Sequence, residues 1–197
     1  MSVTITPKMR LPFNESKATQ VASRFLVLRG GHMNYLKLIK LLYLLDRAAL
    51  LKWGRTVTTD RYVSMDQGPV LSRVYDLICD ESKPGAPAFW RDHISEPINH
   101  EVRLLKPAGD DELSPAEEDL IQEIFEEHGH KNRWALRDFC HALPEWQDPD
   151  GSSIPIQIRD ILKAGDKTAA EIAGVENELD SLAAVQWLVS AKRDELR

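Results

Sequence analysis

Four side chains of the kind that bind metal or carry protons fall close together late in the chain: His128, His130, Cys140 and His141. Imidazole nitrogens and a thiolate are ordinary zinc ligands, and a zinc-bound water becomes a nucleophile near neutral pH. The spacing does not support that chemistry. "HGH" followed ten residues later by "CH" matches neither a structural nor a catalytic zinc pattern, and there is no second cysteine pair. As ordinary histidines near helix ends they need no metal. No GxSxG, P-loop, HExxH or dinucleotide fingerprint occurs either. The expectation is a protein that is not an enzyme and that uses no metal or cofactor.

One carboxylate is more informative. At about 100° per residue, a helix from Tyr35 to Trp53 gathers Lys37, Lys40, Arg47 and Lys52 in one polar sector, whereas Asp46 falls among Tyr35, Ile39, Leu42, Ala49 and Leu50. An ionised Asp facing the core costs several kcal/mol unless hydrogen bonds or a base satisfy it. The nearest candidates are the backbone N–H groups around Asp66 to Gly68, the Tyr62 hydroxyl, and Arg61 or Arg73. Asp46 is therefore expected to hold the turn before the next helix. In that turn Gly68 permits a tight backbone and Pro69 pre-sets a helix start.

The elements that position these residues are mostly helical. Asn14 caps a helix whose Ala18, Val21, Ala22, Phe25 and Leu28 share a face, ended by Gly30-Gly31. Asn34 and Gly54 bracket Tyr35 to Trp53. Pro69, at a first helical position, opens a third helix through Val70, Val74, Leu77 and Ile78. Ser114-Pro115-Ala116-Glu117 is a capping box for a fourth. Trp134 to Leu143 and Ile156 to Ala164 follow. A final helix from Thr168 to Lys192 carries Ile172, Val175, Leu179, Leu182 and Val189 at heptad spacing, read as packing on the domain's own core rather than as a partner seam. "EPINHEVRLLKP" has extended character and is expected to pair with Arg61 to Met65. "ESKPGAPAF" and "PDGSSIP" are loops. The fold expected is mainly α-helical, with about seven helices and a small two- or three-stranded antiparallel β element. Residues 1–13 are an N-terminal extension and 14–197 one compact domain.

Length and composition agree with this: 197 residues, 43% hydrophobic and 28% charged, suit one ordinary core. The apolar run Leu41 to Leu45 is far short of the roughly 20 residues a membrane span needs. "MSVTITPKMRLPF" lacks a secretory pattern, so the cytoplasm is expected, with Cys79 and Cys140 as free thiols. The net charge of −6 argues against nucleic acid as a partner. The stretch Tyr35 to Tyr75 is nevertheless basic, and Asp110 to Glu127 carries nine carboxylates and no Lys or Arg, as a solvated helix start would.

Three stretches carry a family resemblance: "LKLIKLLYLLDRAALLKWG", "TTDRYVSMDQGPVLSRVYDLI" and "LPEWQDPDGSSIPIQIRDILKAGDKT". Their most specific part is the pairing of K-L-L-Y-L-x-D-R (Lys40 to Arg47) with G-P-V (Gly68 to Val70), and it resembles the Panacea, or SocA-like antitoxin, domain. The resemblance spans roughly Ser16 to Val189, with Asp46, Gly68 and Pro69 as its structural signature. It implies an antitoxin of a toxin–antitoxin module, often phage- or mobile-element-associated, whose partner is a toxin protein. Members of that family bind and neutralise the toxin directly; one instead delivers it to the protease ClpXP. Some members carry an added DNA-binding domain, for which this chain has no spare length. Aromatic and Arg side chains left outside the core are the natural contact candidates: Trp53, Arg55, Arg61, Tyr62 and Arg73. Trp53 and Tyr62 fit the core equally well. The alternative is a DNA-binding regulator using the stripe Lys37, Lys40 and Arg47.

Overall fold

Polar caps decide where the long helices begin and end. In the computed structural model, which describes residues 11–79 and 88–195, the Asn14 side chain accepts from the Lys17 N–H at 3.0 Å and starts α1 (Glu15–Arg29). Gly30, at φ 92°, closes it in the left-handed conformation that glycine adopts freely. The short strand β1 (His32–Asn34) leads into α2 (Tyr35–Trp53), capped by Asn34 and closed by Gly54 at φ 71°. Then come β2 (Tyr62–Met65), β3 (Gly68–Leu71), α3 (Ser72–Cys79), α4 (Ala88–His93) and β4 (Glu101–Arg103). The Ser114/Glu117 capping box opens α5 (Pro115–His128) as expected, and α6 (Arg133–His141), β5 (Ile154–Ile156), α7 (Ile158–Ala164) and α8 (Ala169–Glu195) complete the described chain.

The fold is mainly helical with two small antiparallel sheets, in orders β1-β4 and β3-β2-β5. At its centre α2 packs against α1, α5, α6, α7 and β3. Leu38, Leu41, Leu42 and Leu45 are fully buried, each contributing roughly 1.5–3 kcal/mol by leaving water. Lys17 of α1 reaches Glu117 of α5 at 2.8 Å and ties the outer pair.

Several expectations need correction. Pro69 does not start a helix: it lies in β3, opposite Ser64 of β2, and α3 begins three residues later. Both readings are open to a residue with φ fixed near −65°, and the sheet wins because β3 is an edge strand where a missing N–H is harmless. Pro155 occupies the other edge, β5, in the same way. Glu101 to Arg103 pairs with His32 to Asn34 and not with Arg61 to Met65. An eighth helix, α4, begins inside the stretch read as the loop "ESKPGAPAF", most of which lies outside the described residues, as do residues 1–10 of the N-terminal extension. Finally, α8 does not pack along the core throughout. Ile172 and Val175 do, but Leu182, Val185, Leu188 and Val189 are between 43% and 59% exposed.

Candidate functional site

Two buried carboxylates build the turn region. Asp46, fully buried in α2, accepts from the backbone N–H groups of Val57 at 2.8 Å and Thr58 at 3.0 Å, from the Thr58 hydroxyl, and from the Tyr62 hydroxyl at 3.0 Å. Burial pushes its pKa up, and these four donors pull the other way. Of the expected partners only Tyr62 is among them; Arg61, Arg73 and the Asp66 to Gly68 backbone are not. Asp46 thus holds the entry to β2, one element earlier than expected. Asp60, which the sequence reading passed over, holds the next one. Its carboxylate accepts from the N–H groups of Arg61 at 2.6 Å, Arg73 at 3.0 Å and Val74 at 3.0 Å, tying the start of β2 to the first turn of α3. Burial raises its pKa to about 6.

The Gly68-Pro69 turn is held by a lysine. Lys40, wholly buried in α2, donates from Nζ to the Pro69 carbonyl at 2.7 Å, and burial lowers its pKa to about 7. Gly68 has φ +91°, and a Cβ there would stand 3.1 Å from both Lys40 Nζ and His141 Cδ2. The supposed basic stripe of α2 is therefore mostly internal. Lys37 is 5% exposed and donates to the Gly129 carbonyl, while Arg47 pairs with Glu145 through Nε at 2.6 Å. Only Lys52 of the four is exposed, and it pairs with Glu123 at 3.4 Å, so the surface the DNA-binding alternative needs does not exist on this helix. Lys and Arg stems that run through apolar surroundings to a polar end explain the discrepancy, since a helical projection cannot distinguish them from solvated ones.

Glu145, also unnoticed in the sequence, has a fully buried side chain and receives the Tyr43 hydroxyl at 2.9 Å as well as Arg47. Next to it Trp146 stacks on His141, with centroids 4.1 Å apart and planes at 11°, and donates to the Met65 carbonyl at 3.2 Å. The Pro144 to Trp146 block thus closes over the turn. His141 belongs to that stack, His128 packs against Phe139, and no group of three or more His, Cys, Asp or Glu among the described residues could hold a metal ion. Cys140 is buried, which pushes its thiol up to about 12, and Cys79 is exposed; both are free.

On the outer side of β2 and α3 lies an open cleft of about 900 Å³, floored by apolar side chains including Phe13, Val63, Leu77, Ile158 and Leu179, with the carboxylates of Glu15, Asp60, Asp76, Glu176 and Asp180 also in its lining. Arg61 and Arg73 line it, both exposed, and neither guanidinium makes an ion pair or hydrogen bond among the described residues. Their backbones are fixed by the single carboxylate of Asp60, so two loose cationic heads stand on a rigid base. Of the remaining candidate contacts, Arg55 is exposed and Trp53 is half-buried against the core. Tyr62 is corrected to a scaffold residue: it is 4% exposed, its ring meets Tyr43 edge-on at 5.7 Å, and its hydroxyl is committed to Asp46.

No helix among the described residues is long and apolar enough to cross a membrane. No curated protein and no solved structure matches the chain. A family model, antitoxin SocA-like, Panacea domain, matches residues 38–147. That span opens in α2 and closes just after Trp146, taking in Lys40, Asp46, Asp60, Gly68, Pro69 and Glu145. A match over more than half the chain, centred on this interlocked turn, makes the protein a member of the SocA-like Panacea family of antitoxins.

Proposed function

We propose that the protein acts without catalysis as a cytoplasmic antitoxin, seating a segment of its cognate toxin in the cleft between β2, α3 and α8. The observation that carries this reading is the pair Arg61 and Arg73, two exposed guanidiniums with no side-chain partner among the described residues, beside an apolar floor. An apolar anchor flanked by Arg is the usual composition of an interface centre. The segment that fits is one with apolar side chains and an acidic residue, whose carboxylate the planar guanidinium fork can hold with two bonds. Arg55 lies outside the cleft lining and serves as a rim charge. The unit that performs this runs from residue 14 to 197.

The test is co-expression of this chain with the product of the neighbouring gene. Rescue of growth by the wild-type protein, and its loss in Arg61→Glu/Arg73→Glu, supports the reading; full rescue by that variant overturns the cleft. Delivery to a protease is separated from direct neutralisation by repeating the rescue in cells lacking ClpXP, where direct binding still protects and adaptor action does not.

A further inference from the structure

The C-terminal half of α8 presents apolar residues where a helix on a finished surface would be polar. Leu182, Val185, Leu188 and Val189 are 43%, 59%, 55% and 51% exposed. They do not belong to the face that holds α8 to the body, which consists of Ile172, Val175 and the 2% exposed Ala183, with Glu176 bridged to Arg159 at 2.7 Å. At about 100° per residue the four fall within roughly 120° of one another on the outer side. Glu178 and Lys192 share that sector, one at each end, and neither forms an ion pair among the described residues.

The pattern is palindromic about Val185. Seven residues before it stands Glu178 and seven after it Lys192; three before it stands Leu182 and three after it Leu188. An isologous two-fold contact requires that if one residue meets another, the second meets the first. An antiparallel pair of α8 helices with Val185 on the axis meets that condition for Val185, for Leu182 with Leu188 and for Glu178 with Lys192, while Val189 faces Ser181. Val185 packs on Val185, Leu182 on Leu188, and Glu178 lies opposite Lys192 at both ends of the seam. Glu178, Leu182, Val185, Val189 and Lys192 also follow the alternating four-and-three spacing that lets two helices interdigitate. Charge complementarity of this kind suits a second copy of the same chain and has no reason to arise against an unrelated partner.

We propose that the protein self-associates into a two-fold dimer through antiparallel pairing of α8 centred on Val185. The seam is short, so the interface lies near the roughly 1,000 Å² lower bound for specific association and the dimer is a weak one. It leaves the cleft of Arg61 and Arg73 to be tested separately, because Arg61→Glu/Arg73→Glu leaves the mass unchanged.

Sedimentation velocity of the full chain over about 1 to about 100 μM, the range a weak interface demands, reads the outcome. The wild type is expected to rise from 22.4 kDa toward twice that mass. Val185→Glu, which places two carboxylates on the axis, stays at the monomer mass with an unaltered melting curve. Glu178→Lys and Lys192→Glu each weaken association about tenfold, since symmetry converts two attractive pairs to repulsive ones. The double variant Glu178→Lys/Lys192→Glu restores it. Trp187→Ala has no effect, because that side chain, though 61% exposed, lies on the opposite side of α8. A wild type that remains monomeric, a dimer indifferent to Val185→Glu, or a double charge reversal that fails to restore association overturns the proposal. So does a monomer whose toxin rescue is lost in Val185→Glu, which assigns the face to the toxin.

Discussion

The Nζ of Lys40 lies 2.7 Å from the carbonyl oxygen of Pro69, and through that bond the middle of the central helix holds the turn 29 residues further on. Among the described residues no carboxylate forms an ion pair with it; the ammonium is met by a backbone dipole in a fully buried place. The stretches Lys40 to Arg47 and Gly68 to Val70 therefore meet physically, with a lysine donor from one and a carbonyl acceptor from the other. The price of that contact is an uncompensated charge, and the pKa near 7 follows from that.

Stability should consequently rise with pH in the neutral to alkaline range. The folded pKa of Lys40 is about 7, below its ordinary 10.5, so the unfolded chain binds the proton more tightly. The contribution is complete above the unfolded value and is lost as pH falls through the folded one. Thermal melts from about pH 6 to about pH 9 should show the wild type gaining relative to Lys40→Met. Parallel curves for the two proteins would contradict this.

Gly68→Ala should be costly for two separate reasons. A residue with a Cβ resists φ +91°, and that Cβ would press on Lys40 Nζ and His141 Cδ2 at 3.1 Å. The expected loss is roughly 1–3 kcal/mol, or about 2–4 °C of melting temperature for each kcal/mol in a chain of this size. Gly151→Ala is the control for backbone alone, with φ +76° and open space around it.

Asp46→Asn should lower the melting temperature, and Asp46→Ala should lower it further. The alanine leaves two backbone N–H groups and the hydroxyls of Thr58 and Tyr62 without their acceptor, for a loss of about 3 kcal/mol or more. Chemical denaturation of the two variants beside the wild type measures the order.

Arg61→Glu/Arg73→Glu should behave in the opposite way, keeping stability within about 0.5 kcal/mol while weakening toxin binding. Titration calorimetry against the purified partner should give a loss of roughly tenfold to a hundredfold. A variant that melts early would instead place these side chains in the scaffold.

The helix ends of α1, α2 and α5 were legible because each is written in a few local residues, Asn14 and Gly30, Asn34 and Gly54, Ser114 and Glu117, whose hydrogen bonds reach no further than one turn. Asp46 was legible as a buried carboxylate from periodicity alone. Its partners were not, since the path of the chain between Gly54 and Tyr62 decides which N–H groups face it. Asp60 and Glu145 escaped notice for the same reason: an acidic residue in an irregular stretch carries no periodic signal, and both are buried by segments distant in sequence. The turn itself was recognised, but Pro69 is equally at home at a helix start or on a sheet edge, and only pairing with Ser64 chooses between them.

The span matched by the family, residues 38–147, is not a piece that could be cut out and grafted elsewhere. Phe25 and Leu26, wholly buried, belong to α1, which precedes it, and Ile156, which pairs with Tyr62, belongs to β5, which follows it. A graft limited to that span would carry the interlocked turn with one helix missing from its flank and one strand missing from its sheet. Any exchange of specificity between relatives has to move surface residues on an intact frame, one side chain at a time, rather than trade the segment whole.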